Sequence, residues 1–378
     1  MENTQTASLI SIFSALEDPR IDPTKRHSLT DIIAIAICAV VCGADSWVDM
    51  EEFGKSRKEW LSGFLDLPNA IPSHDTFGRV FSMLDAESFQ SCFVEWVRSV
   101  SKMTEGQIVA IDGKSVRRSH DSRAGRSAIH LVNAWASANR LVLGQVKVDD
   151  KSNEITAIPK LLRMLELSGC IVTIDAMGCQ KEIAGTITER GADYALSLKR
   201  NQGQLYDDVA EMFEYGRQTD FADMDSDWFE TVEKGHGRVE TRNCTTISSP
   251  EFIAYLNEGE RWSNLSSVAM VESERDIGGN VSSQTRYYIS SLPGDAERLL
   301  EAVRGHWEVE NSVHWVLDVS FGEDDSRVRN GNGAENLAAL RRMALNMLKQ
   351  ENTLRVGIAA KRKKAGWDTQ YLLKVLAQ

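Results

Sequence analysis

No two cysteines in this 378-residue chain are spaced as C-x-x-C; the six present, Cys38, Cys42, Cys92, Cys170, Cys179 and Cys244, are scattered. That scatter excludes a zinc knuckle and disfavours a disulfide framework, so reduced buried thiols and a cytoplasmic location are expected. Long apolar runs are also lacking. The longest, Ile32 to Ala44, falls short of the roughly 20 residues that cross a bilayer and reads as a buried helix. Met1 to Ser8 shows no basic segment joined to an apolar one, so neither a leader nor a membrane partner is expected. There is no internal repeat, no low-complexity tract and no H-E-x-x-H. No convincing Ser/His/Asp or Cys/His array points to a protein nucleophile.

Positive charge is in deficit: 43 Lys and Arg stand against 55 Asp and Glu, a formal charge of -12, which at first disfavours a phosphate-rich partner. The average conceals strong unevenness. Asp207 to Glu233 holds ten acids against the single Arg217. Ala338 to Gln378 holds nine basic residues against Glu351 and Asp368, and Lys114 to Arg126 holds five against Asp121. These two basic stretches are the candidate phosphate-facing patches.

The length calls for a catalytic body plus at least one accessory unit. Residues 1–101 carry apolar positions at helical spacing, punctuated by Pro19, Pro23, Pro68 and Pro72, and read as a helical N-terminal domain. Ser73 caps a helix bearing Phe77, Val80, Phe81 and Leu84, either a packing helix or one that reads DNA. Residues 105–378 read differently. Strands are predicted at Gln107 to Asp112, Ala128 to Ser137 and Leu141 to Val148, then a helix at Glu154 to Leu167. A strand at Cys170 to Asp175, a helix at Gln180 to Arg190 and a strand at Asp193 to Leu198 follow. This order predicts an α/β fold with a ribonuclease-H-like mixed sheet and flanking helices. An acidic helix and strand-like segments over about 203–291 read as a β-rich insertion. Asp295 then caps a long helix through Leu300, Val303, Trp307 and His314, and helices at Ala334 to Lys349 and Thr369 to Leu376 close the chain.

Two of these strands end in Ile-Asp, at Asp112 and Asp175. Side chains at the C-terminal ends of parallel strands emerge into the ligand crevice, although a rim Asp can also merely cap the next loop. The helix after Asp295 supplies Glu308 and Glu310, which point to nearly opposite faces at about 100° per residue. Glu310 shares a face with His306, Trp307 and His314, so it is the better third acid, against a reading of both as ordinary surface acids. His306, Glu310 and His314 at i, i+4, i+8 keep a zinc site open as a minor alternative. Three convergent carboxylates suit phosphodiester chemistry, which needs charge neutralisation, an activated water or hydroxyl and a stabilised leaving oxygen. Two Mg²⁺ ions roughly 3.5 to 4 Å apart supply all three and prefer oxygen ligands; Mn²⁺ is the expected substitute.

The stretches that carry a family likeness are LEDPR with RHSL after it, AIDGKSVRRS around Asp112, TIDAMGCQ around Asp175, LSLKRNQ, HGRVETR and HWEVENSVHWVLDVSFGEDDSR. Through them nearly the whole chain resembles the H-repeat-associated transposases, within the DDE insertion-sequence transposases. The resemblance implies a ribonuclease-H-like core, Asp112, Asp175 and Glu310 as catalytic metal ligands, and a β-rich insertion before the last acid. It also implies double-stranded DNA as substrate, cleaved at element ends and joined to target, and a homodimer on paired ends. One departure stands out. Related transposases carry Tyr-x2-Arg-x3-Glu-x6-Lys around the last acid, where this chain has Val303, His306, Glu310 and Leu317. Arg304, His306, His314 and Arg327 are the candidate substitutes for the missing DNA contacts.

Further DNA-facing candidates are Lys114, Arg117 and Arg118 beyond the first Asp, and Lys199, Asn201 and Gln202 beyond the strand from Asp193. Period-2 spacing places His236, Arg238, Glu240 and Arg242 on one face, where the arginines either grip phosphates or pair with Glu240. The run Lys361 to Lys364 reads as a phosphate contact or a solvated charge run. Two other functions compete with transposition: a repurposed DNA-binding protein without catalysis, and a general nuclease of the same fold.

Overall fold

The computed structural model describes residues 11–22, 25–101, 103–120, 127–149, 152–235 and 237–378. Helices fill the N-terminal part: α1 (Leu29–Val41), α2 (Trp47–Ser56), the short α3 (Lys58–Leu61), α4 (His74–Met83) and α5 (Ala86–Val100). Their starts are written locally, because the side chains of Ser28, Ser46, Ser73 and Asp85 accept orphan N–H groups of the first turns. Helix α1 is apolar all round and buried nearly all round, as expected of a central helix. Helix α4 buries Phe77, Val80 and Phe81, with Trp47 stacked on Phe81 at 5.3 Å, so the capped helix serves packing.

After these helices come β1 (Ile108–Ser115), β2 (His130–Ala136), β3 (Leu141–Lys147), α6 (Glu154–Met164), β4 (Ile171–Ile174), α7 (Lys181–Glu189) and β5 (Asp193–Leu198). Strands β1, β4 and β5 run parallel, and the β1–β2–β3 hairpins run antiparallel, a mixed α/β arrangement. The segment expected as an insertion holds α8 (Gly203–Gln218), β6 (Ser226–Gly235), β7 (Arg238–Ile247), α9 (Pro250–Leu256), β8 (Ser267–Ile277) and β9 (Asn280–Ser290). Its strands extend the central sheet, because β9 pairs antiparallel with β5 from Ala195↔Ser290 to Leu198↔Tyr287. Among the described residues one sheet runs β3-β2-β1-β4-β5-β9-β8-β7-β6.

Helix α10 (Ala296–Val309) starts at Asp295 as expected, and a π-helical segment, Glu310–His314, joins it to α11 (Trp315–Phe321). Helix α12 (Gly333–Gln350) buries almost its whole circumference, touching α1, α4, α5 and β3. A single apolar core therefore passes from the N-terminal helices through α12 to the sheet. Beyond it lie α13 (Ile358–Trp367), which the sequence reading did not separate, and α14 (Thr369–Leu376).

Helix α12 also carries charge into the interior. Arg342 donates from Nη1 to Glu323 Oε1 at 2.7 Å and from Nε to Asn133 Oδ1 at 2.6 Å, with both ionic side chains fully buried. Removing one partner strands the other charge in a poor solvent. Arg342→Met is expected to cost about 3–5 kcal/mol in urea unfolding, and Arg342→Met with Glu323→Gln to cost clearly less. Equal losses in the single and double variants would contradict this account.

Candidate active site

The placement of the first two acids follows from strand register. Strand β1 pairs with β4 as far as Ile111↔Ile174, where β4 stops, while its pairing with β2 continues to Ser115↔His130. Asp112 is thus mid-strand, not terminal as the sequence suggested. It is the first β1 residue to outrun its parallel neighbour, which sets it beside the position of Asp175. Asp175 leaves β4 directly and its Oδ1 accepts from Met177 N–H at 3.0 Å, so it caps a turn as well as facing the cavity. Close approach of the Glu154 side chain explains the glycine next door, Gly113. A Cβ there would fall 2.1 Å from Glu154 Oε1.

The third acid arrives on the α10–α11 helix. Glu310 lines a cavity of about 200 Å³ together with Asp112, Asp175, Thr173, Lys199, Arg286, His306 and Trp307. At about 30 Å³ per water, that volume holds a handful of water-sized groups. Glu308 lines a different groove, with Arg140 and Arg304, as its opposite helical phase requires. The i, i+4, i+8 set does not converge. His306 bonds Thr173 Oγ1 at 3.2 Å, while His314 turns toward Asp112 and Glu310.

Electrostatics at the cavity are dominated by burial and like charge. Burial, with the carboxylates of Glu310 and Asp175 beside it, pushes the Asp112 carboxyl up to about 7 against a hydrogen bond from Gly113. Burial, reinforced by Arg342 and Lys114, drives His314 down to about 3, so its imidazole is neutral. Burial also lowers His306. A divalent cation fits this donor set. Ligand atoms of Asp112, Glu310 and His314 all lie within 4.8 Å of one another, and carboxylate repulsion is what a cation would relieve.

Known proteins give this geometry its context. Residues 103–347 match the transposase DDE domain model, and residues 10–97 match the DDE_Tnp_1-associated model. The chain belongs to the transposase DDE domain family. It is similar to "Putative transposase YncI" of Escherichia coli O157:H7, 43% identical over 98% of this chain and 94% of that protein. It is also similar to "H repeat-associated putative transposase YhhI" of Escherichia coli K12, 40% identical over 98% of this chain and 97% of that protein. A Xanthobacter autotrophicus protein described only as lying in the dhlA 3' region is 46% identical over 75% of this chain and 94% of its own length. A solved piggyBac transposase synaptic complex with hairpin DNA aligns over 98% of this chain and 78% of that chain, at TM-score 0.39 and 10% identity, too distant to define the fold. DDE transposase domains generally use a divalent metal.

Many basic side chains expected to face DNA already have acidic partners in this transposase family member. Lys114 is buried, with Nζ 2.6 Å from Asp318 Oδ1 and 3.4 Å from Asp324 Oδ1. Arg117 and Arg118 pair with Asp324 and Asp325. Arg238, Arg242 and Arg275 surround the buried Glu240, and Glu233 binds both Arg242 and Arg304. Arg238 and Arg242 both pair with Glu240 in this structure. Asn201 donates to Ala176 O and Gln202 to Cys179 O, so both brace the turn behind Asp175. In the Lys361–Lys364 run, Lys361 and Arg362 are buried donors to backbone carbonyls, because α13 packs that face on α11 and α1. Lys199 is exposed at the cavity, Arg327 is exposed, and His236 lies outside the described residues.

Two residues went unnoticed in the sequence. Arg286 of β9 lines the cavity and lies over the Trp307 ring at 4.4 Å, but nothing in an alternating strand marks it. Asn133, directly opposite Asp112 in β2, anchors Arg342 beneath the acids. Of the transposase signature positions, Leu317 is core and Val303 is buried, so neither Tyr nor Lys has a polar replacement in place.

The raised Asp112 carboxyl makes a pH prediction for the metal-free protein. A group that holds its proton near 7 folded and near 3.8 unfolded favours folding below about 4 and loses that contribution as pH rises through 7. Asp112→Asn is expected to stabilise the metal-free chain at pH 8 by on the order of 2–4 kcal/mol and to change little near pH 3. Urea titrations in chelator test this; no gain at pH 8 would remove the repulsion argument.

Proposed function

We propose that this chain is a metal-dependent DNA transposase with a ribonuclease-H-like catalytic core. In this reading it cleaves insertion-sequence ends and joins the freed 3' hydroxyl to target DNA. Asp112, Asp175 and Glu310 are its catalytic acids. The observation that carries the reading is their convergence: acids from two adjacent parallel strands and one helix, far apart in sequence, line one small cavity. Family membership and full-length likeness to proteins named as transposases support it.

The three carboxylates, with oxygen as the donor, would hold Mg²⁺, or Mn²⁺ in its place. When bound, such cations neutralise phosphate charge and favour ionisation of the attacking water or hydroxyl. In this reading the oxygen of water or of a 3' hydroxyl gives up its proton as it bonds to phosphorus in line, and the opposite P–O bond breaks with its oxygen leaving. Lys199 and Arg286 stand at the cavity to bind the phosphate's charge. The reading includes a dimer on paired DNA ends.

Purified protein with a duplex carrying the element end is expected to nick it in Mg²⁺ or Mn²⁺, and Asp112→Asn, Asp175→Asn and Glu310→Gln each to abolish nicking. Cleavage that survives all three variants would refute the assignment. Salt-dependent binding without cleavage on any end would favour a repurposed DNA-binding protein, and cleavage indifferent to end sequence a general nuclease. Lys199→Ala is expected to weaken binding uniformly across sequences and to reduce the salt slope by about 1. An unchanged slope in fluorescence anisotropy titrations would remove Lys199 from the phosphate contact.

A further inference from the structure

Beside the acidic cavity, against Asp112 and Glu310, lies the buried imidazole of His314, 8% exposed. Its environment is unusual for a buried imidazole. Nε2 has no hydrogen-bond partner. Nδ1 faces two carboxylates, 3.5 Å from Asp112 Oδ2 and 3.7 Å from Glu310 Oε2, both long for a hydrogen bond. Cation bonds of about 2.1 Å set neighbouring ligands roughly 3 Å apart and opposite ones about 4 Å apart. Both separations from His314 fall between these limits, and all three ligand atoms lie within 4.8 Å of one another, so side-chain adjustments would let one ion take all three.

Backbone geometry supports the same picture. His314 closes the π-helical segment, in which Trp315 N–H donates to Glu310 O five residues back. Such turns are rare in regular helices and recur at functional sites. This one keeps Glu310 and His314 on the side that faces β1 while α11 continues into the core through Leu317 and Phe321.

We propose that His314 Nδ1 is a direct ligand of one cation, together with carboxylate oxygens of Asp112 and Glu310, with Asp175 outside this tight donor set. The proposal rests on the metal-dependent reading above. It adds a nitrogen donor to the three acids and therefore a cation preference: imidazole suits transition-metal ions better than Mg²⁺, so Mn²⁺ is bound more tightly than Mg²⁺. His306, the other histidine at the cavity, is tied to Thr173 and takes no part.

Full-length protein titrated with Mn²⁺ is read by electron paramagnetic resonance, and the bound ion by electron spin-echo modulation, which detects a coordinated nitrogen. The wild-type chain and His306→Gln are expected to show ¹⁴N coupling. His314→Gln is expected to lose it and to bind Mn²⁺ at least about tenfold more weakly, with Mg²⁺ competition changed less. If His314→Gln does not fold by circular dichroism, ¹⁵N-histidine labelling of the wild-type chain and of His306→Gln is expected to convert the ¹⁴N pattern to ¹⁵N in both. Mn²⁺ bound without any nitrogen coupling, or coupling lost in His306→Gln alone, overturns the His314 assignment and leaves the transposase reading standing. No Mn²⁺ binding at all overturns both.

Discussion

Three carboxylates facing one small cavity repel each other, and the rest of the site is arranged to hold them there. No two share an element: Asp112 rides on β1, Asp175 on the turn after β4, and Glu310 on the helical rod that crosses them. Retreat of any one acid would require a strand to slip register or a packed helix to rotate. A slip of one residue in β1 would turn every side chain of that strand to the other face. The second line of support is ionic. Asn133, Arg342 and Glu323 form a buried chain beneath Asp112, and Lys114 is anchored by Asp318 and Asp324. Burial, with Arg342 and Lys114 beside it, keeps His314 neutral, and burial with the neighbouring carboxylates makes Asp112 hard to ionise without a cation.

That arrangement recasts the charge imbalance of the chain. Glu233 of the acidic stretch and the acids Asp318, Asp324 and Asp325 are partners for arginines and lysines elsewhere, so part of the basic charge is internally compensated. Most isolated surface pairs of this kind contribute little to stability. Their effect here is on electrostatic outline. Lys114, Arg117, Arg118, Arg238 and Arg242 carry charge compensated by neighbouring acids, while Lys199, also expected from the sequence, and Arg286 stand at the cavity.

How much of this was legible in the chain depends on the range of the physics involved. Strand β5 is found where Asp193 to Leu198 was expected, and the cap at Asp295 holds, because both signals lie within a few neighbouring residues. Helical phase separated Glu310 from Glu308 for the same reason. Failures came where distant residues decide. Asp112 was assigned to a strand end because the apolar run stops there, yet β2 carries the strand onward. Lys361 and Arg362 read as a basic run until α13 packed them on α11 and α1. The inserted strands gave no hint of which edge they would join, and Arg286 came to the cavity only because β9 docks on β5. The π segment left no trace in the hydrophobic pattern, since its Val313 keeps ordinary helical spacing from Val309 just before it.

That segment makes the chain length of the rod unusually unforgiving. A five-residue turn holds one residue more than the regular spiral needs, so either half of the rod is set by a count as well as by its side chains. Dropping one codon between Val309 and Trp315 would let the rod wind uniformly with its halves still in phase, but residues within the turn would shift around the axis by up to about 100°, so Glu310 and His314 could not both keep their facing. With Leu299 and Leu300 buried on one side of it and Leu317 and Phe321 on the other, both halves stay where they are packed, so the change falls on the turn itself. Surface loops elsewhere can gain or lose residues cheaply. Here a frame-preserving deletion of the smallest size would act like the loss of an acid.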